Sequence, residues 1–115
     1  MNKEEIERGD RFMLADAVEY ATDSITSRPI LKKLSGTIVA TAFDAGKNLL
    51  ERTSPFDTLI QITEGTAQVF IESRAITLKV GEAIVIPAHM RSSMAAIARF
   101  KMVVTTIKSG YEDVS

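Results

Sequence analysis

The chain has 115 residues, of which 45% are hydrophobic, and its 14 basic and 15 acidic side chains leave a formal net charge of -1. That size allows one core and no second domain, and a charge near zero provides no long-range field to draw in nucleic acid or an anionic membrane. With no cysteine, disulfides and thiolate metal sites are excluded, which fits a reducing compartment. The charged start MNKEEIERGD lacks the apolar core of a signal peptide, and no apolar run is long enough for a membrane span, so a cytoplasmic protein is the expectation.

In chain order, Asn2 to Arg8 is read as one helical turn, with Asn2 as cap, Glu5 at capping-box spacing and Gly9 as its end. Met13, Leu14, Ala17, Val18 and Ala21 recur at helical intervals, so a second short turn or 3-10 piece is expected to close one end of the core. Residues 24–34 contain Pro29 and allow only an edge strand, whereas Thr37 to Phe43 alternates as a true strand.

Asp44-Ala-Gly46 is a turn. Strands follow at 48–53, 58–63, 66–72, 76–79, 82–86, 93–98 and 100–107, with Glu64-Gly65 and Val80-Gly81 as tight connections. At Ser73-Arg74 a hairpin without glycine has to place a side chain at positive φ. Short apolar-alternating segments cut at regular intervals by glycine and proline argue for an all-β barrel or sandwich. The tail after Ser109 reads as frayed.

At Gly46, Gly65, Gly81 and Pro87 the spacing becomes specific. The run from Gly46 through LLERTSPFDTLIQITEG to Gly65, followed by Gly81-Glu-Ala-Ile-Val-Ile-Pro87, keeps the glycine and proline frames of both cupin motifs. The chain therefore resembles the small cupins with a conserved barrel. The resemblance implies a double-stranded β-helix, or jelly-roll, barrel over residues 36–107, within one domain over 1–115 whose residues 1–24 form a short helical N-terminal extension.

In that family imidazoles and a carboxylate at four inward positions hold iron, manganese, nickel or zinc. Carried over by spacing, the four positions are Arg52, Ser54, Thr58 and Ser92. None is a competent ligand, because a guanidinium offers only donors and a positive charge, and a transition metal needs imidazole or carboxylate. The family glycine before the last histidine is here His89, the one histidine of the chain. The expectation is a metal-free barrel without cofactor. A weak site from Asp57, Gln61 and His89 would require side chains from different pleats. Asp57 is better read as fixing the turn after Pro55-Phe56, and Gln61 as bonding across strands.

Arg52 at an inward position needs a partner. Glu51 and Asp57 are candidates, and so is a bound carboxylate or phosphate. Ser54, Thr58, Ser92 and, beside the mouth, His89 complete the expected ligand-binding set, with no residue assigned a catalytic role. Met13, Met90, Met94 and Met102 with Phe43, Phe70 and Phe100 are candidates for an adaptable apolar cavity.

Two functions follow: a binding module for a small organic anion or apolar molecule, and an enzyme of isomerase, lyase or dioxygenase type using a non-standard site. DNA binding is disfavoured, as neither a helix-turn-helix segment nor a basic stripe is present. Open edge strands favour a homodimer.

Overall fold

The alternating segments fold into a curled antiparallel sheet in the computed structural model, which describes residues 6–108. The strands are β1 (Ile25–Lys33), β2 (Gly36–Phe43), β3 (Asn48–Arg52), β4 (Asp57–Ile71), β5 (Arg74–Lys79), β6 (Ala83–Ile86), β7 (Ser92–Ala95) and β8 (Phe100–Ile107). The pairing order is β1-β2-β8-β4-β7-β3, and β5 and β6 are also hydrogen-bonded to β4. Pro29 sits in the edge strand β1, where its missing N–H is tolerated, and the β1–β2 register shifts between Pro29 and Leu31.

β4 is the member of both layers. Its first half pairs with β6 and β8, its second half with β5 and β7. The sequence predicts a break at Glu64-Gly65, but the strand runs through it. The β4–β8 register shifts there between Ile62 and Glu64, and Gly65 takes φ +77. A Cβ on Gly65 would lie 2.4 Å from the Arg99 carbonyl oxygen and 3.0 Å from Phe100 Cα. Glycine is thus required by close backbone approach at a bulge, where the strand bends from one layer into the other.

The connection at Val80-Gly81 is a turn, as expected: Gly81 has φ +88, and the Glu82 carboxylate accepts the Lys79 N–H at 2.8 Å. In the β4–β5 hairpin, the residue at positive φ is Glu72 (φ 55). The turn falls at Glu72-Ser73, one residue before the predicted position.

Inward-facing residues of both layers fill the core. Phe43 and Phe100 are fully buried and stack with centroids 4.5 Å apart. Ile60, Ile62, Val69, Ile71, Met94 and Met102 pack around them.

Among the described residues, the expected helical N-terminal extension is reduced to a single 3-10 turn at Leu14–Asp16 that buries none of its residues. The proposed cap Asn2 and its partner Glu5 lie outside the described residues. Nor does this segment close an end of the barrel. Ala17 and Val18 lie flat on the outer face of β2, against Ala40 and Ala42, with Ile6, Tyr20 and Ile30 beside them. The two small alanines leave room for the chain at that place.

Polar anchors hold the segment. The Tyr20 hydroxyl donates to Glu64 at 2.7 Å, and the almost buried Lys101 donates from Nζ to the Ala15 carbonyl at 2.6 Å. Partial burial, together with the Glu64 carboxylate, pushes the Tyr20 phenol above its usual range. Nearby, Arg99 Nε donates to Asp44 at 2.8 Å; with the Asp23 and Ala45 N–H groups it holds the Asp44 carboxyl down to about 2. No helix among the described residues is long and apolar enough to cross a membrane.

Candidate functional site

A cavity of about 50 Å³ opens between the two layers. β3 ends in Arg52, the following loop supplies Ser54, β4 begins with Thr58 in its second position, and β7 opens with Ser92. All four residues line this cavity. Arg52 and Ser92 are directly paired across β3 and β7. The four positions identified from glycine and proline spacing therefore converge on one site.

Ser54 is held by its surroundings. Its Oγ accepts the Phe56 N–H at 3.1 Å, and its carbonyl accepts the His89 N–H at 2.6 Å. The side chain of Asp57 points elsewhere: Oδ1 accepts the Ala88 N–H at 2.8 Å, tying the start of β4 to the turn after β6. The expectation that Asp57 fixes the turn at Pro55-Phe56 is not met: the side-chain bond to that turn comes from Ser54, and Asp57 ties down a different loop.

His89 is not among the walls. It is exposed and sits at φ 72, and the residue that reaches the cavity from this turn is Met90. The left-handed backbone of His89 is the physical reason, since it redirects the chain between Pro87 and Met90. Leu49, Phe56, Ile60, Ile86, Met94, Met102 and Val104 supply the apolar walls, and Thr53, Pro87 and Ser93 complete them.

Three of the methionines named from the sequence are thus in place, whereas Met13 is 69% exposed, Phe70 faces outward and Phe100 is locked into the core stack. Sequence reasoning missed the aliphatic walls Ile60, Ile86 and Val104, although their period-two alternation with neighbours was the available signal.

Arg52 is exposed at the rim, so water meets the desolvation cost that a deeply buried guanidinium would have carried. The ion pairs among the described residues are Lys47–Asp23, Arg91–Glu72, Arg99–Asp44 and Lys101–Glu64. Arg52 joins none of them, and neither Glu51 nor Asp57 partners it.

The donor set does not fit the divalent ion that the resemblance implies. The walls hold a guanidinium, hydroxyls, thioethers and hydrocarbon, with neither imidazole nor carboxylate among them. No group of three His, Cys, Asp or Glu side chains in the described residues is placed to hold a metal. What this set can do is donate hydrogen bonds to an anion: the guanidinium offers a planar fork, and the hydroxyls add donors beside it.

A second cavity of about 260 Å³ adjoins the first, lined by Ile25, Ser27, Val39, Thr41 and Phe43 together with Leu49, Arg52, Met102 and Val104.

Comparison with known proteins agrees with this architecture. No family model matches the chain, and no curated protein matches it. Among solved structures, the chain is similar to a conserved protein of unknown function from Streptococcus pyogenes, with TM-score 0.84, 25% identity and 90% of each chain covered. It is also similar to a cupin superfamily protein from Desulfitobacterium hafniense, with TM-score 0.83, 24% identity, and 89% of this chain and 94% of that one covered. A cupin 2 conserved barrel domain protein from Leptotrichia buccalis aligns with TM-score 0.80 and 28% identity over 84% of this chain and 47% of its own.

Proposed function

We propose that this chain, a small barrel of the cupin fold, is a metal-independent binding protein that takes a small organic anion at its mouth through Arg52. The observation that carries the reading is the convergence of Arg52, Ser54, Thr58 and Ser92 on one cavity while the guanidinium has no carboxylate partner among the described residues. A cation without a carboxylate partner among the described residues, flanked by hydroxyl donors and backed by apolar walls, suits a ligand with one negative group and a compact body.

An isomerase, lyase or dioxygenase needs an acid–base group or a metal ligand at the reacting atoms. The residues around this cavity favour binding over such chemistry. Pairing of two copies through β1 or β3, which end the strand path, belongs to the same proposal.

The test is a calorimetric titration of the protein and of an Arg52→Ala variant with small monocarboxylates. A hydrogen bond to a charged group contributes about 1.5–3 kcal/mol, so the variant is expected to bind roughly ten to a hundred times more weakly. Equal affinity in the two proteins would remove Arg52 from the site and end this reading.

A further inference from the structure

The two cavities share four walls, Leu49, Arg52, Met102 and Val104, so they lie side by side with Arg52 on their common border. Their characters differ. The compartment of about 50 Å³ presents the hydroxyls of Ser54, Thr58 and Ser92. The compartment of about 260 Å³ is walled by Ile25, Val39 and Phe43, and its two hydroxyls, Ser27 and Thr41, lie 3.2 Å apart in a hydrogen bond with each other. Their mutual bond uses one of the two O–H donors, and the other walls apart from Arg52 are hydrocarbon or thioether.

Size separates the roles. An aliphatic and aromatic cavity of about 150 Å³ holds a benzene ring. The larger compartment exceeds that volume and the smaller one is well below it, so the smaller admits a head group and the larger a body of several carbons.

Resting on the reading that Arg52 grips an anion, we infer that the ligand is a monocarboxylic acid with an apolar tail of roughly six to eight carbons, as a six-carbon ring fills about 150 Å³. The carboxylate takes the Arg52 fork and the hydroxyls of the smaller compartment. The tail runs between β1, β2 and β3, against Ile25 and Val39. Binding the carboxylate through two parallel hydrogen bonds fixes its direction, and burial of the tail supplies affinity in proportion to its length.

The experiment is calorimetry with acetate, octanoate and octan-1-ol on the wild-type protein, Arg52→Ala and Val39→Trp. Each buried methylene is expected to tighten binding by up to about fourfold, so octanoate should bind at least roughly tenfold more tightly than acetate. Octan-1-ol should bind far more weakly than octanoate. Val39→Trp should cancel the gain from chain length and leave acetate binding unchanged. Because a large side chain on β2 can harm folding, the wild-type complex is also read by NMR, where contacts from the terminal methyl of octanoate to the Ile25 and Val39 methyls are expected.

Equal, Arg52-dependent affinity for acetate and octanoate, or methyl contacts confined to Ile60 and Met94, would overturn the tail compartment and leave the anion site standing. Octanoate binding that survives Arg52→Ala undiminished, or no binding of either acid to the wild type, would overturn both.

Discussion

At the scale of single residues, His89 shows how a substitution can be neutral for chemistry and costly for backbone. The motif frame places glycine at this position, and the structure gives it φ 72, a region in which an ordinary side chain costs about 1–2 kcal/mol. Glycine relieves that strain but adds freedom to the unfolded chain, worth roughly 0.5–1 kcal/mol in the opposite direction. The variant His89→Gly is therefore expected to be more stable by about 0.5–1 kcal/mol in denaturant unfolding, with acetate binding unchanged because the imidazole does not line the cavity. A loss of stability, or of affinity, would show that the histidine side chain makes a contact that matters.

The same position marks the boundary of what could be read from residues alone. Arg52, Ser54, Thr58 and Ser92 were legible through the resemblance, because the glycines and the proline of this chain keep the frame on which the family's four ligand positions are carried over. The facing of His89 depends on one φ angle that a histidine does not announce. The sequence also suggested Glu51 or Asp57 as partners for Arg52, because they are near in the chain. Asp57 instead satisfies the Ala88 N–H, a group thirty-one residues away.

At the scale of elements, β4 determines the shape of the site. By bending at Gly65 it carries Thr58 and Ile60 on the cavity side of one layer, while Val69 and Ile71 fill the core against the other. The glycine was legible and its purpose was not. A glycine between two alternating runs looks the same from sequence whether the chain turns back or bulges and continues.

Two substitutions separate the reasons for glycine. Gly46→Ala meets nothing within 4 Å of its new Cβ and bears only the positive φ, +86, so a cost of about 1–2 kcal/mol is expected. Gly65→Ala adds a methyl 2.4 Å from the Arg99 oxygen. Strain and displaced backbone together should cost more than about 3 kcal/mol, in the range reserved for core disruption. Thermal unfolding of the two variants side by side checks this, and similar losses for both would mean that the bulge yields easily.

The N-terminal segment illustrates a further limit. Of the five apolar residues that its spacing marked, Met13, Leu14 and Ala21 are exposed, whereas Ala17 and Val18 are buried. Spacing cannot say which surface receives them, and the receiving alanines, Ala40 and Ala42, are distant in sequence and small enough to be overlooked.

At the scale of the whole molecule, the two cavities, the layers and the sheet edges belong to one arrangement. Strands β1 and β2 wall the larger compartment on one side, β3 and β7 wall the smaller on the other, and Arg52 stands where they meet. The all-β frame was recoverable from the regular spacing of glycines and prolines, whereas the bend of β4 was not. The sharing of walls between the two cavities was not legible either, because it arises where Leu49 of β3 approaches Met102 and Val104 of β8. Fold likeness leaves activity open, since one scaffold supports many chemistries.

On the proposed reading, the guanidinium of Arg52 and the hydroxyls of Ser54, Thr58 and Ser92 offer no ligand for a divalent ion. Elemental analysis of protein purified without chelator tests it most directly. Well below one transition metal per chain is expected, unchanged in Arg52→Ala and Ser92→Ala. Stoichiometric iron, zinc, nickel or manganese that disappears in either variant would contradict it.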